Sequence, residues 1–279
     1  MRGAVIDVGS YTLHAVVADV DEYGIRRTLL DEKTYDRTAG SLARLVEKTL
    51  ARTPAGVRVI ATSDCALADD VCARFGLAVE HLGGEEQVQL SWLGVSTELA
   101  CSHGELAVID LGGGSLELAT GADLVEHATS LPLGVLALRT SSAADVRQRV
   151  LELATPAACV IRARKPDTIA ITSGTARALV RLGRRLGVIS DLQRHVGTLT
   201  FCELARRLAP LDAQAMAALG VGSSRRDTLG VGAVAISTLL VLLGRPVVYI
   251  SSSAMREGAL VELVRRRRSV PMLLASGMR

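Results

Sequence analysis

The chain has 279 residues, a length that fits one large domain or two of moderate size. Hydrophobic residues make up 49% and aromatic residues only 3%, so the core must consist mainly of aliphatic side chains. A formal net charge of +3 is too small to indicate nucleic-acid binding. The five cysteines are scattered and never form C-x-x-C, which argues against a disulfide framework or a zinc site and for a reducing compartment.

No signal peptide or membrane span is predicted. The apolar run at the N-terminus is short and is interrupted by Asp7. The most hydrophobic stretch, residues 231–243, is followed by Gly244 and is too short to span a bilayer, so it predicts a buried helix. We therefore expect a cytoplasmic protein without membrane contact and without a specific nucleic-acid partner.

The first hundred residues predict three strands followed by alternating helices and strands. Apolar residues separated by turn signals mark the strands, and the spacing of Leu42, Leu45, Val46 and Leu50 marks the first helix. The predicted elements are strands 3–9, 13–20 and 26–31, helix 41–52, strand 57–61, helix 66–75, strand 78–81 and helix 85–94.

The remainder of the chain repeats this order, beginning again with three strands. The predicted elements are strands 106–110, 116–120 and 125–130, helix 143–154, strand 168–172, helices 176–186, 200–208, 213–219 and 231–243, strand 247–251 and helix 256–267. We assign residues 1–100 to an N-terminal domain and 101–279 to a C-terminal domain, and the repeat alone sets this boundary.

One short motif occurs twice. Residues 5–10 read V-I-D-V-G-S and residues 108–115 read V-I-D-L-G-G-G-S, so an apolar strand ends in Asp7 or Asp110 before glycine and a hydroxyl. Glycine lets the backbone turn tightly and approach a phosphate, although a single Asp-x-Gly is also common in ordinary turns. Two such loops facing each other would supply a phosphate clamp and two carboxylates for a metal, so the repetition indicates phosphoryl chemistry.

Backbone N–H groups of the two loops are the predicted phosphate donors. The candidates are Gly9, Ser10, Gly112, Gly113, Gly114 and Ser115. Glu117, two residues after Ser115, should project to the same side of its strand as Ser115. The alternative for Glu117 is a solvated hairpin residue.

A third candidate anion site lies between a predicted strand and a predicted helix. It consists of Ser173, Gly174 and Thr175, where the N-terminus of the helix offers free N–H groups and a favourable dipole. The alternative is a simple N-cap without a ligand. Local sequence leaves both interpretations open.

Seven segments, in order along the chain, resemble the exopolyphosphatase/guanosine pentaphosphate phosphatase family. They are D-V-G-S at 7–10, A-T-S at 61–63, G-E-E-Q-V-Q-L-S-W-L-G-V at 84–95, D-L-G-G-G-S-L-E-L at 110–118, S-L-P-L-G-V at 130–135, S-G-T-A-R-A-L at 173–179 and M-R-E-G at 255–258. The resemblance implies an α/β fold with two ribonuclease-H-like domains, as in actin-like ATPases, and an active site in the interdomain cleft. It also implies Mg²⁺-dependent removal of a terminal phosphate from polyphosphate or pppGpp.

The resemblance also implies roles for individual residues. Mg²⁺ would bind Asp7, Asp110 and Glu117 directly or through water, and Glu117 would also help to hold the attacking water. Arg256 and Glu257 look structural, and the run Arg265–Arg268 either complements a helix dipole or contacts a polyanion. Homodimerisation is expected by analogy with the family alone.

The chain departs from the family pattern where catalysis would occur. The position of the usual general base is Gln87, whose amide cannot accept a proton at neutral pH, and general base catalysis is typically worth about 10²–10⁴-fold. The nearest acid, Glu86, would be rotated by about 100° on a helix. Cationic contacts are also missing, since His14 and Ala66 stand where family members usually carry basic residues, and Tyr11 and Thr12 replace asparagine and serine.

Three functions remain open from the sequence. The first is a phosphohydrolase in which Glu86 or Glu117 assists the water. The second is a catalytically impaired member that binds polyphosphate or guanosine penta- or tetraphosphate as a sensor. The third is an ATP-dependent kinase, for which we find no motif for an adenosine pocket or an acceptor.

Overall fold

The computed structural model describes residues 1–62, 66–99 and 104–275, with side chains through residue 267. The chain divides into two compact units. Unit 1 comprises Met1–Cys101 and Ser253–Arg279, and unit 2 comprises Ser102–Ser252. Among the described residues, no helix is both long and apolar enough to cross a membrane.

Strands and helices alternate along most of the chain. The strands are β1 (Arg2–Val8), β2 (Leu13–Asp21), β3 (Gly24–Thr34), β4 (Gly56–Ala61), β5 (Val79–His81), β6 (Leu106–Leu111), β7 (Leu116–Gly121), β8 (His127–Leu131), β9 (Thr168–Ile171), β10 (His195–Gly197) and β11 (Val247–Ile250). The helices are α1 (Ala39–Leu50), α2 (Ala66–Ala73), α3 (Gly84–Leu99), α4 (Val135–Leu138), α5 (Ala143–Arg164), α6 (Gly174–Arg185), α7 (Thr198–Leu208), α8 (Ala213–Ala218), α9 (Leu229–Leu243) and α10 (Met255–Ala275).

Unit 1 is built on a five-stranded sheet in the order β3-β2-β1-β4-β5. The first three strands form an antiparallel meander, and β4 and β5 extend the sheet in parallel with β1. Successive residues of β1 enter different cores, as the period of two along a strand requires. Ile6 and Val8 belong to a cluster with Leu42 of α1, whereas Val5 belongs to a cluster with Leu260 of α10.

Unit 2 repeats the same strand order. From one edge, its six-stranded sheet runs β8-β7-β6-β9-β11-β10, with an antiparallel meander at β6–β8 and parallel strands β6, β9 and β11. The repeated order of three meander strands and two parallel strands confirms the predicted ribonuclease-H-like fold of both halves. The predicted apolar helix is α9, which is buried in the core of this unit.

The last helix differs from its predicted assignment. The sequence places residues 101–279 in the C-terminal domain, but α10 packs against α3 and β1 of unit 1. Two glycines permit this contact, since a Cβ on Gly94 would lie 2.4 Å from the carbonyl oxygen of Ala254, and one on Gly258 would lie 1.8 Å from that of Leu90. Only glycine lets the two helix backbones approach so closely.

Other differences concern the lengths of elements. Helix α5 continues through Pro156 to Arg164, ten residues beyond the predicted end at Ala154, because Ala158 and Ile161 extend its buried face. Helix α3 likewise continues to Leu99 rather than Gly94. The short elements α4 and β10 are not among the predicted ones.

Candidate active site

The glycine-rich loop of unit 2 is held by the segment S-L-P-L-G-V. The N–H of Gly112 donates to the carbonyl of Ser115 at 2.9 Å, which closes the turn between β6 and β7. The N–H groups of Val135 and Leu136 donate to the carbonyls of Gly112 and Gly113 at 3.1 and 2.9 Å. The loop therefore has a defined shape before any ligand is bound.

Gly134 is the point of closest approach in this arrangement. A Cβ on Gly134 would lie 2.1 Å from the carbonyl carbon of Gly114 and 2.4 Å from the nitrogen of Ser115. Any side chain there would displace the glycine-rich loop, so the motif needs glycine at this position for a packing reason.

Glu117 is the principal buried acid of unit 2, with an exposed fraction of only 4%. It lies directly across the β6–β7 ladder from Asp110. Its Oε1 accepts a hydrogen bond from Ser130 Oγ at 3.1 Å, and Ser115 also donates to this carboxylate. Glu117 is therefore not the solvated hairpin residue that the sequence left as an alternative.

Burial, and after it the negative charge of Asp110, raise the pKa of Glu117 to about 7. The hydroxyls of Ser115 and Ser130 act in the opposite direction but are weaker. Within the described part of the chain, no arginine or lysine forms an ion pair with Glu117. The carboxylate is thus held beside a second acid without a compensating cation from the protein.

This donor set fits Mg²⁺. Magnesium is typically bound through one or two carboxylates together with water and phosphate oxygens. Asp110 and Glu117 supply the carboxylates, and a divalent cation would relieve the repulsion that raises the pKa of Glu117. Among the described residues, no cluster of three or more acidic, histidine or cysteine side chains that could hold a metal is present.

The Ser173–Thr175 turn of unit 2 begins α6. Ser173 Oγ accepts a hydrogen bond from the N–H of Ala176 at 2.8 Å, which is the bond of an ordinary N-cap. Thr172, Ser173 and Thr175 are all buried. The N-cap is therefore present, while the predicted binding of phosphate by Ser173, Gly174 and Thr175 remains a prediction.

Two arginines lie near this positive end of the helix. A Cβ on Gly174 would lie 2.8 Å from Nη2 of Arg225. Arg177 Nη1 donates to the carbonyl of Thr172 at 2.6 Å. Cations next to a helix N-terminus are electrostatically unfavourable unless an anion joins them, so the turn is well suited to an anion.

In unit 1, the corresponding acid is paired with a base. Asp7 is 8% exposed, and its Oδ2 accepts a hydrogen bond from Nη1 of Arg256 at 3.0 Å. Gly9 donates to the carbonyl of Thr12 at 2.9 Å, which forms a tight turn. A Cβ on Gly9 would lie 3.6 Å from Thr62 Oγ1, so this turn is next to the start of the A-T-S segment. Arg256 thus contacts a site residue, although its motif looks structural in the sequence.

Two further basic groups lie near this turn. Arg37 Nη1 donates to the carbonyl of Ser10 at 3.1 Å. His14 is bonded to Asp31 at 2.5 Å, but burial lowers its pKa to about 4, and the charge of Arg256 contributes to this shift. His14 is therefore neutral at neutral pH and is not a cationic substitute for the basic residue usual in the family.

Glu86 and Gln87 both make bonds at the start of α3. Glu86 Oε2 accepts from the N–H of Gly83 at 2.8 Å, and Gln87 Nε2 donates to the carbonyl of Leu82 at 3.0 Å. Both bonds stabilise the first turn of the helix. The structure gives these two predicted catalytic residues a structural role, and their part in catalysis stays a prediction.

The arginine run at 265–268 is largely engaged within unit 1. Arg266 pairs with Glu262 at 3.1 Å, and Arg267 donates to the carbonyl of Ala55. Glu257 accepts from the N–H of Ala254 at 2.7 Å, at the start of α10, and its structural role stays a prediction. Ser63 and the side chain of Arg268 lie outside the described residues.

Comparison with known proteins agrees with this arrangement. The model of the Ppx/GppA phosphatase family matches residues 18–267. The chain belongs to the Ppx/GppA phosphatase family. It is 28% identical to exopolyphosphatase 1 of Mycobacterium tuberculosis, over 94% of this chain and 88% of that protein.

Solved structures of Ppx/GppA proteins have the same fold. The crystal structure of an exopolyphosphatase from Cytophaga hutchinsonii superposes with a TM-score of 0.83 at 19% identity, over 95% of this chain and 98% of that one. The Ppx/GppA family member of Aquifex aeolicus gives a TM-score of 0.77 at 19% identity, over 96% of this chain and 98% of that one.

The structure brings to the two loops several residues to which the sequence analysis gave no role. Ser130 and Gly134 belong to the family segment S-L-P-L-G-V, and Arg256 to M-R-E-G, so both motifs were visible but had no catalytic or binding role attached. Arg177 lies in the family segment S-G-T-A-R-A-L, also without an assigned role, whereas Arg37 and Arg225 carried no such signal. Their partners are distant in sequence, and only the folded chain brings them to the loops.

Proposed function

We propose that this member of the Ppx/GppA family is an Mg²⁺-dependent exopolyphosphatase that removes the terminal phosphate from inorganic polyphosphate. One observation carries the proposal: the carboxylates of Asp110 and Glu117 lie across one β-ladder beside a glycine-rich loop that Gly134 holds in place. The relatives named exopolyphosphatase support polyphosphate as the substrate. A guanosine pentaphosphate with its terminal phosphate is a second substrate to test.

The residues would divide the work as follows. Asp110 and Glu117 would hold Mg²⁺, and the backbone N–H groups of the glycine-rich loop would orient the phosphate oxygens. When bound, Mg²⁺ would neutralise the charge on the transferred phosphoryl group. Ser115 and Ser130 keep the carboxylate of Glu117 in position through their hydroxyls. In unit 1, Asp7 serves as a further acid that Arg256 orients.

The test is the release of inorganic phosphate from tripolyphosphate, from long polyphosphate and from pppGpp, with Mg²⁺ or with EDTA. We expect metal-dependent release, and Glu117→Gln should lower it by at least about 100-fold. The matched control is Glu152→Gln, the same change at an exposed glutamate of α5 that accepts a hydrogen bond from Gln148. Release that persists in EDTA, or that survives Glu117→Gln, would contradict the assignment.

A second candidate function is a sensor that binds polyphosphate or a guanosine alarmone without hydrolysing it. The specific observation in its favour is that the Gln87 amide and the Glu86 carboxylate both bond to backbone groups at the start of α3. If hydrolysis is prevented by the lack of a general base at residue 87, Gln87→Glu should increase phosphate release by about 10²-fold or more. A wild-type protein that already turns over polyphosphate and is unaffected by Gln87→Glu excludes the sensor.

Two general predictions accompany the proposal. Homodimerisation is expected by analogy with the family, and light scattering of the purified protein would test it. A cytoplasmic location follows from the scattered cysteines and is tested by fractionation of cells.

A further inference from the structure

One face of α6 is lined with arginines, of which Arg181 is exposed and Arg177 and Arg184 are half-buried. Arg177, Arg181 and Arg184 follow each other at intervals of four and three residues, the spacing that places side chains on one side of a helix. The stripe begins one turn after the Ser173–Thr175 turn. It extends for about 10 Å along the axis, since each helical residue rises about 1.5 Å.

Two cavities adjoin this stripe and share Arg181 and Arg184. One has a volume of about 450 Å³ and the other of about 380 Å³. Together they are lined by six arginines: Arg177, Arg181, Arg184, Arg185, Arg194 and Arg225. Asp191 is the one acidic residue among the described residues that line them. We call these two cavities the arginine groove.

Ordinary structural roles do not account for all of these arginines. Arg184 and Arg185 lie in the last turn of α6, where a cation complements the helix dipole. Arg177 and Arg225 instead lie near its first turn, where the dipole disfavours a cation. Arg225 forms no side-chain hydrogen bond or ion pair with any residue that the structure describes, so a ligand anion is the natural partner for it.

The groove lies at the edge of the sheet where α/β proteins commonly bind ligands. Arg177 donates to the carbonyls of Thr172 and Ser251, which directly follow the parallel strands β9 and β11. The carboxyl ends of parallel strands form the usual binding edge in open α/β sheets. Thr172 is 1% exposed, and its hydroxyl has no hydrogen-bond partner among the described residues, which leaves one more donor near this edge.

The lining also indicates which polyanion fits. No phenylalanine, tyrosine or tryptophan is among the described residues that line either cavity. Proteins that bind nucleotides or single strands usually stack bases on aromatic side chains. A groove with many guanidinium groups and no stacking surface suits a linear chain of phosphates better than a guanosine nucleotide.

We propose that the arginine groove binds the chain of inorganic polyphosphate beyond the phosphate held at the Ser173–Thr175 turn. This inference rests on the proposed function for its substrate. It adds that affinity rises with the length of the chain, because each further phosphate meets another guanidinium group. The groove should not increase the binding affinity for pppGpp.

The test compares the binding of long polyphosphate and of tripolyphosphate by titration calorimetry, in the full-length protein. Arg181→Gln removes the exposed charge of the stripe, and the double variant Arg181→Gln/Arg184→Gln also removes a half-buried one. The double variant should weaken binding of the long chain about tenfold and tripolyphosphate clearly less, because it loses charge-assisted contacts. Its slope of log affinity against log salt should also fall by roughly 0.7 for each lost contact.

The matched control is Arg147→Gln/Arg162→Gln, which removes the same charge from two exposed arginines of α5 in the same unit. This control should bind both ligands as the wild type does. Because Arg184 also bonds to the carbonyls of Ser190 and Gln193, the single variant Arg181→Gln guards against a local loss of structure. Thermal unfolding of each variant verifies that it is folded.

The outcomes separate this inference from the proposed hydrolysis. Length-dependent binding that is lost in the stripe variants supports the groove even if no phosphate is released, in which case only the hydrolase proposal fails. Phosphate release with an unchanged length preference in the stripe variants overturns the groove and leaves the hydrolase proposal intact. The groove proposal is also overturned if the stripe and control variants lose the same affinity for long polyphosphate, or if the wild type binds long chains no more tightly than tripolyphosphate.

Discussion

The two copies of the repeated Asp-Gly motif have the same sequence pattern but different electrostatics. In unit 1, Asp7 is paired with Arg256 at 3.0 Å. In unit 2, Asp110 and Glu117 are placed side by side, and the pKa of Glu117 is raised to about 7. The first copy is neutralised by the protein itself, and the second keeps an acidic pair whose repulsion a cation would relieve.

The difference indicates that the two copies of the motif have different roles. A buried carboxylate with an arginine partner is fixed in one direction and makes a firm contact for a ligand. Two adjacent carboxylates, in which the charge of one raises the pKa of the other, suit a divalent cation. Glycine has different uses as well, because Gly134 braces the loop of unit 2 while Gly9 only turns the loop of unit 1.

The substitution with the largest expected effect, Gly134→Ala, disrupts the glycine-rich loop of unit 2. In Gly134→Ala, the new Cβ would lie within 2.1 to 2.4 Å of backbone atoms of Gly113, Gly114 and Ser115, so the loop must move. We expect a loss of about 4 kcal/mol in the free energy of unfolding and no detectable phosphate release. Urea unfolding and the release assay measure the two effects.

The loop of unit 1 supplies the comparison for this variant. A Cβ on Gly9 would lie 3.2 Å from its nearest neighbour, the carbonyl of Thr12, so Gly9→Ala should cost only about 1 kcal/mol. Gly40, which has open space around it on α1, is the control, and Gly40→Ala should be neutral or slightly stabilising. Similar unfolding midpoints for Gly134→Ala and Gly40→Ala would disprove the bracing role.

The second expected effect is the pH dependence of Glu117 in metal-free protein. An ordinary glutamate has a pKa of 4.5, and that of Glu117 is raised to about 7, so between these values the folded state binds a proton more tightly than the unfolded state. Stability contributed by this group is therefore lost as the pH rises through this window. Glu117→Gln should gain stability relative to wild type from pH 4.5 to 7, by at most about 3 kcal/mol.

Chemical unfolding in EDTA at several pH values measures this difference. If the difference in the free energy of unfolding between wild type and Glu117→Gln is constant across this pH window, the surroundings do not raise the pKa of Glu117. Added Mg²⁺ should raise the melting temperature of wild type more than that of the variant, because binding to the folded state stabilises it.

The smallest expected effect concerns the charge balance of unit 1. Burial is the main reason why the pKa of His14 is about 4, and the positive charge of Arg256 is the next. Arg256→Met should therefore raise the pKa of His14 by about one unit or less, since burial persists. NMR titration of the imidazole follows this change directly. A pKa of His14 that does not move would mean that Arg256 is electrostatically remote from it.

Much of the fold was predictable because local signals repeat. The apolar alternation of the first three strands and the motif at Asp7 recur at Asp110, so both meanders could be placed before the structure was known. The partner of α10 could not be predicted in this way. Its glycine contact with α3 joins residues more than 150 positions apart in the chain, and an apolar helix face does not specify which sheet it covers.

The same distinction between local and non-local contacts decides which parts of the site could be predicted. Asp110, Glu117 and the glycine-rich loop are close in sequence, and their local motif predicted their proximity. Arg256 is 249 residues from Asp7, so no local pattern could join them. The contact of Arg225 with the Ser173–Thr175 turn is similarly non-local, so no pattern in the sequence indicated it.

The position of α10 affects how the protein can be made on the ribosome. The residues of unit 1 that emerge first lack α10, so the sheet face that contains Val5 stays uncovered while residues 102–252 are translated. At about 5–20 residues per second, this wait lasts on the order of ten seconds or more. The second unit, which is continuous in the chain, is therefore complete before the first, and the uncovered face is a natural client surface for a chaperone during synthesis.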